Sequence, residues 1–114
     1  MIEYQFERSG MTATFTLGGR LDAQGSLALS DILKDRLLPD DTFVILETGG
    51  VTYISSAGIR VLAALEKSLR QRNGSLYICG VQPAVAKVLE ITGFNRFFTL
   101  CPTRQDALFR SRIT

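Results

Sequence analysis

The sequence predicts an α/β fold with a mixed sheet of about five strands, an N-terminal antiparallel hairpin and about four helices. Three observations support this prediction. The first two segments alternate apolar and polar residues, which is the period of a strand buried on one face. Short continuous apolar runs follow, as expected for strands covered on both faces. Apolar residues at helical spacing separate those runs, so parallel crossovers follow the hairpin.

The hairpin is predicted from residues 2–17. Its alternating apolar positions are Ile2, Tyr4 and Phe6 in the first strand and Met11, Ala13, Phe15 and Leu17 in the second. Ser9-Gly10 supplies a tight turn between them, because glycine adopts the backbone angles that such turns require. Gly18-Gly19 is expected to break the second strand.

A first helix and a central strand come next. From about Ser26 the apolar residues recur at helical spacing, and Pro39 stops the helix. The members of this apolar stripe are Leu29, Ile32, Leu33 and Leu37. Residues 43–46 form a continuous apolar run, which predicts a strand with helices on both sides of the sheet.

The second helix is expected over residues 57–72. Its buried stripe consists of Leu62, Leu65 and Leu69. Glu66 precedes Arg70 by four residues, which predicts a surface ion pair. Asn73-Gly74 ends the helix, because both residues tolerate the left-handed conformation of a helix cap. Residues 75–79 then form a buried strand.

The remaining elements are marked by their ends. Pro83 opens a third helix and Gly93 closes it, which is the usual asymmetry of helix ends. Residues 97–100 are predicted to form the last strand. Thr103, with Asp106 three residues later, caps a final helix. Without linker, repeat or low-complexity segment, the chain is expected to form a single domain, 1–114.

Composition restricts the function classes. The 114 residues carry a net charge of +2, and the basic residues are scattered, which argues against nucleic-acid binding. No apolar stretch approaches the roughly 20 residues of a membrane span, so no membrane insertion is expected. The N-terminus lacks a basic segment followed by an apolar one, which argues against a signal peptide and favours the cytoplasm.

Cofactor and metal chemistry is also disfavoured. The chain has no histidine, the commonest general base and metal ligand, and only two cysteines, at a spacing that matches no metal site. Cys79 lies in an apolar run and is expected to be a buried structural thiol. We therefore expect no cofactor, no metal and no catalytic residue.

Two serines stand where the second helix begins. A helix start has unpaired N–H groups and a partial positive charge, so a phosphate on Ser56 would meet donors there. Ala57 and Gly58 add little bulk, and Arg60 in the first turn supplies a cation. The alternative is an ordinary N-cap serine, which contributes about 0.5–2 kcal/mol over alanine. These residues alone favour that simpler interpretation.

The chain resembles STAS domains, in particular the free-standing bacterial anti-sigma factor antagonists. The resemblance rests on Tyr53-Ile54-Ser55-Ser56-Ala57-Gly58-Ile59 before an apolar helix, on Gly19-Arg20-Leu21-Asp22 after the second strand, and on Pro83 to Leu89 followed by Thr92-Gly93-Phe94. It covers essentially the whole chain. One residue departs from the family pattern, because Ser55 stands where the family has an Asp.

The resemblance implies a non-catalytic, phosphorylation-switched binding module. Ser56 falls on the family's phosphoacceptor, with Ser55 as the alternative. The implied partners are an anti-sigma factor that is also an ATP-dependent serine kinase, and a metal-dependent serine phosphatase. Unmodified, the module would bind the anti-sigma factor and so free a sigma factor. The partner surface implied by the resemblance contains the two serines, Asp22, Arg20 and, more weakly, Gln82. A turn or helix-capping role is the alternative for Asp22, and both roles are compatible.

Two rival functions are weighed against this one. The first rival is an enzyme, in particular a serine hydrolase. Ser56-Ala57-Gly58 resembles half of a nucleophile elbow, but Ile54 stands where that motif needs glycine, and the chain has no histidine to activate the hydroxyl. The glycine pairs at 18–19 and 49–50 form no nucleotide-binding fingerprint. The second rival is a constitutive STAS subunit of an ABC-type lipid transporter or a signalling scaffold, without phosphoswitching.

Overall fold

Five strands form one mixed sheet in the order β1-β2-β3-β4-β5. The computed structural model describes residues 2–113. The strands are β1 (Ile2–Ser9), β2 (Thr12–Leu21), β3 (Phe43–Ile54), β4 (Ser75–Cys79) and β5 (Thr99–Cys101). The helices are α1 (Ala23–Arg36), α2 (Ser56–Gln71), α3 (Pro83–Thr92) and α4 (Arg104–Ile113). β1 is antiparallel to β2, and every later pairing is parallel. The predicted fold class is confirmed.

The hairpin pairs the two predicted strands, with Phe6 opposite Phe15. Its turn lies at Gly10 and Met11, and Gly10 has a φ of +60°, which glycine adopts readily. Met11 is therefore a turn residue that is 56% exposed, and its prediction as an inward-facing strand residue is wrong.

The glycines at 18 and 19 do not break β2. The strand continues through them to Leu21, while its pairing with β3 shifts register between Thr16 and Gly18 and again between Gly19 and Arg20. Gly19 has a φ of +106°, a conformation that side chains rarely permit. In place of the predicted break there are two register shifts, each with an extra residue in β3, and β2 continues to Leu21, directly before the N-cap of α1.

The two faces of the sheet are covered unequally. The larger core joins α1, α2 and α3 to one face through residues such as Leu29, Leu62 and Leu89. On the other face, α4 packs with Ala107 against Ile45 and its neighbours. The central strand is covered on both sides, as its apolar run predicted.

Several element boundaries differ from the sequence prediction. α1 begins at Ala23 rather than near Ser26, because Asp22 caps it. β5 comprises residues 99–101, whereas Phe97 and Phe98 lie in the preceding turn and contact Phe94. The predicted ends at Asn73 and Gly93 are confirmed, with φ of 59° and 80°.

Two buried carboxylates, Glu66 and Asp41, form ion pairs. Glu66 is only 4% exposed, so its pair with Arg70 is not the surface pair that the spacing suggested. Asp41 is 2% exposed and accepts two hydrogen bonds from Arg8, at 2.9 and 2.7 Å, and one from the Leu38 N–H at 2.8 Å. The Arg8 hydrogen bond holds the pKa of the Asp41 carboxyl below its ordinary value. Asp41 thereby ties the loop after α1 to the hairpin.

Asp41→Asn is expected to lower the free energy of unfolding by about 2 kcal/mol at neutral pH, since a bidentate charge-assisted contact is lost. Arg8 stays partly solvated, which keeps the loss below that of a fully buried pair. Because the folded-state pKa is lowered, this stability is complete above the unfolded value near 4 and disappears as pH falls below it. Urea unfolding at a series of pH values measures both effects.

The matched control is Asp35→Asn. Asp35 is 80% exposed and lies 4.0 Å from Arg36, so its removal is expected to change stability by less than about 0.5 kcal/mol. Equal losses for the two variants, or an unchanged acid-side slope in Asp41→Asn, would contradict the assignment.

None of the helices described between residues 2 and 113 is both long and apolar enough to cross a membrane.

Candidate functional site

Two helices begin side by side at one edge of the sheet. Leu21 and Ile54 are paired at the ends of parallel strands β2 and β3. Asp22 follows Leu21 and caps α1, and Ser55 follows Ile54 and caps α2. The N-terminal ends of both helices, with their partial positive charge, therefore lie together.

Ser55 is the N-cap of α2. Its Oγ accepts a hydrogen bond from the Gly58 N–H at 3.3 Å and donates one to the Leu21 carbonyl at 2.8 Å. Its own N–H donates to the same carbonyl at 2.9 Å. The helix-capping role that the sequence left open for Ser56 thus belongs to its neighbour, whose hydroxyl is engaged in holding α2 against β2.

Ser56 is the first residue of α2, and its side chain is exposed. The first hydrogen bond within the helix joins the Ile59 N–H to the Ser55 carbonyl. The N–H groups of Ser56 and Ala57 therefore precede the hydrogen-bond ladder of the helix. A phosphate carried by this hydroxyl would stand in solvent beside these donors.

Gly58 and Arg60 occupy opposite sides of the first turn of α2. Gly58 is buried, and a Cβ at this position would lie 2.9 Å from both Leu21 Cβ and Ile54 Cγ1. Glycine is therefore required at position 58 because of the close packing there, rather than to leave room for a phosphate. Arg60 is exposed and lies four residues after Ser56, which places the two side chains on one face of the helix.

Asp22, Arg20 and Tyr53 form an exposed cluster next to the two helix starts. Asp22 accepts a hydrogen bond from the Gly25 N–H at 2.8 Å, which lowers the pKa of its carboxyl, and the charge on Arg20 lowers it further. The Arg20 guanidinium lies 3.8 Å from Asp22 and 4.2 Å from the centre of the Tyr53 ring. The capping role considered for Asp22 is present, and its second oxygen faces Arg20.

The sequence interpretation used Tyr53 only as part of the family motif and assigned its side chain no role in the site. It is paired with Arg20 across β2 and β3, and this pairing depends on the register shift between Gly19 and Arg20. The motif around Ser56 contains Tyr53, but nothing in the local sequence predicts the residue on which its ring stacks.

Gln82 lies apart from the cluster. It precedes α3, and its side-chain amide donates to the Gly49 carbonyl at 2.5 Å. Gly49 is six residues before Ser55 along β3, so Gln82 is bonded well short of the end of that strand, where the two helices start. The structure thus brings together Arg20, Asp22, Ser55 and Ser56 but not Gln82. Among the described residues, no group of three or more metal-binding side chains is clustered.

The fold and this site define a small mixed α/β domain that exposes a serine hydroxyl at an open helix start. The chain belongs to the STAS domain family, whose model matches residues 3–107. The resemblance seen in the sequence is confirmed.

Curated relatives of this chain are named as anti-sigma factor antagonists. Over 64 residues the chain is 44% identical to BtrV of Bordetella bronchiseptica, which bears the name of an anti-sigma factor antagonist. That match covers 56% of this chain and 55% of BtrV, so it spans about half of the relative.

Two solved structures share the fold at low identity. An anti-sigma factor antagonist from Mycobacterium paratuberculosis superimposes with a TM-score of 0.86 at 23% identity, over 98% of this chain and 95% of that one. The unphosphorylated form of the Bacillus antagonist SpoIIAA gives 0.82 at 19% identity, over 98% of both chains. At these identities the likeness concerns the fold alone.

Proposed function

We propose that this protein is an anti-sigma factor antagonist, a binding module rather than an enzyme, which is switched by phosphorylation of Ser56. The observation that carries the proposal is an exposed serine at the first position of α2, in a family whose named relatives are anti-sigma factor antagonists. In this function the unmodified protein binds an anti-sigma factor that is also a serine kinase. A metal-dependent phosphatase restores the unmodified form.

The hydrogen bonds favour Ser56 over Ser55 as the phosphoacceptor. Phosphorylation of Ser55 would replace the hydroxyl hydrogen that Ser55 donates to the Leu21 carbonyl, a bond that attaches the start of α2 to β2. Phosphorylation of Ser56 leaves that bond intact, because Ser56 is exposed and takes no part in it. SpoIIAA, which shares the fold, has been solved in phosphorylated as well as unphosphorylated form.

A phosphate at this place can act without refolding the domain. It adds about −1.5 to −2 charges at neutral pH, which the helix start and Arg60 partly offset. A partner that covers Ser56 must desolvate that charge or bring carboxylates near it, and both are unfavourable. The exposed cluster of Arg20, Asp22 and Tyr53 supplies further contact surface beside it.

Phosphate uptake tests the assignment. With the cognate kinase and ATP, we expect wild-type protein to gain the mass of one phosphate, and Ser56→Ala to gain none, because its hydroxyl is missing. Peptide mapping of the intact-mass product locates the modified residue. Ser55→Ala is the matched variant, and it is expected to retain uptake once circular dichroism shows that it is folded.

Uptake by Ser56→Ala equal to that of wild type would overturn the assignment. Loss of uptake in folded Ser55→Ala, with uptake retained in Ser56→Ala, would move the site by one residue. A wild-type protein that neither binds nor accepts phosphate from the kinase would instead favour a constitutive STAS subunit.

A further inference from the structure

An open groove separates α1 and α2 on the surface next to Ser56. Its volume is about 590 Å³, and apolar side chains dominate its lining. Leu27, which is 66% exposed, belongs to it, together with Leu33, Leu37, Val61 and Leu65. Leu27 thus lies exposed beside the other apolar residues of the groove, and contiguous apolar surface of this kind is available to a protein partner.

The charged side chains that line this groove have one sign. Two cations line it, Lys34 from α1 and Arg60 from α2. No carboxylate does so among residues 2–111, whose side chains the structure describes. Both helices start at the same end, because Leu21 is paired with Ile54, and helix starts add positive potential there. The complementary ligand is therefore apolar in the middle and acidic at its sides.

The length of the groove indicates what kind of ligand fits. On α1 the lining extends from Ala23 to Leu37, which is about 20 Å of helix. An open channel of that length accepts about four turns of a helix, whose apolar side chains recur on one face. A compact small molecule would leave most of the apolar floor uncovered. The side chains of an extended peptide alternate between two faces, so only half of them could reach that floor.

We propose that the groove between α1 and α2 binds an amphipathic helix of the partner protein, with carboxylates flanking its apolar stripe, and that phosphorylation of Ser56 releases this helix. The second half rests on the proposed function. Ala57 and Arg60 line the groove, and Ser56 directly precedes Ala57 and lies one turn before Arg60. A phosphate on Ser56 attracts Arg60, four residues later, and so withdraws one of the two cations while adding negative charge.

A synthetic peptide tests the groove without knowledge of the partner. The probe is a helical peptide of about 14 residues with leucines on one face and glutamates beside them, and its match has lysines in place of the glutamates. In NMR titrations we expect the acidic peptide to shift the signals of Leu27, Lys34 and Arg60 and to bind at least about tenfold more tightly than the basic one.

Two pairs of variants separate the groove from the rest of the surface. Leu27→Ser is expected to weaken acidic-peptide binding, whereas Ile91→Ser, which removes a comparably exposed apolar side chain from α3, is not. Lys34→Glu with Arg60→Glu is expected to reverse the preference between the peptides, whereas Lys87→Glu on α3 is not.

The release is tested by coupling. Ser56→Glu is expected to weaken acidic-peptide binding severalfold, and the loss is expected to be smaller in the Arg60→Ala background, because the glutamate acts partly through Arg60. Equal losses of affinity in both backgrounds, or no loss in either, would refute release of the helix by phosphorylation. The assignment of the groove as a binding site would not be affected.

The groove assignment is overturned if both peptides bind equally or shift signals elsewhere. It is also overturned if the fatty acid dodecanoate, a probe for a lipid ligand, occupies the groove and the acidic peptide does not. A shift of the same signals on dilution alone would likewise overturn it, because a second copy of the chain would then be the occupant. None of these results affects phosphate uptake by Ser56, so a failure here remains distinct from a failure of the proposed function.

Discussion

Phosphorylation of Ser56 is expected to weaken binding to the cognate anti-sigma factor by about two orders of magnitude. Two unit charges about 4 Å apart interact by about 1 to 4 kcal/mol under intermediate screening, and a loss of ~3 kcal/mol corresponds to roughly a hundredfold change in affinity. The exposed position of Ser56 lets the partner meet the charge directly. Calorimetry or surface plasmon resonance on enzymatically phosphorylated protein measures the change.

A graded charge series makes this prediction specific. Ser56→Ala carries no charge and is expected to bind as wild type does, whereas Ser56→Asp carries one and is expected to lose about tenfold. Ser9→Asp, at the hairpin end of the sheet, adds the same charge far from the site and should leave affinity unchanged. Wild-type affinity in the phosphorylated protein would refute charge-controlled docking, whatever residue the kinase modifies.

Gly25→Ala is expected to have the largest effect on folding, a loss of about 3 kcal/mol or more in the free energy of unfolding. A Cβ at Gly25 would lie only 1.9 Å from the Arg20 carbonyl oxygen and 3.2 Å from Asp22 Oδ1. Backbone atoms cannot swing away as a flexible side chain can, so the start of α1 must move off β2. Denaturant unfolding measures the loss.

The displacement should also reach the functional site. Gly25 donates the N–H that Asp22 accepts, and Asp22 in turn faces Arg20. We therefore expect any folded Gly25→Ala protein to bind the anti-sigma factor more weakly as well. Gly49→Ala is the matched control, because the atom nearest to its added Cβ would be the Gly80 carbonyl oxygen, at an ordinary contact distance of 3.9 Å. Equal stability of the two variants would show that α1 is less tightly constrained than its geometry indicates.

Periodicity and end signals in the sequence determined most of the fold. The alternation in the hairpin, the helical stripes such as Leu62, Leu65 and Leu69, and the left-handed positions at Asn73 and Gly93 all have local causes. Local rules predicted these elements because the stabilising contacts lie within a few residues. The same reasoning placed Ser56 at a helix start, but it could not say which of two adjacent serines caps the helix.

The tertiary structure decided that question and the composition of the site. Ser55 is the cap because the Leu21 carbonyl, on the neighbouring strand, lies within reach of its hydroxyl. The glycines at 18 and 19 continue β2 because its partners supply hydrogen bonds that the local sequence does not encode. The stack of Arg20 on Tyr53 and the cationic groove depend likewise on register and helix packing. Contacts between residues more than 30 positions apart are set by how the strands align, and one sequence contains no local signal for that alignment.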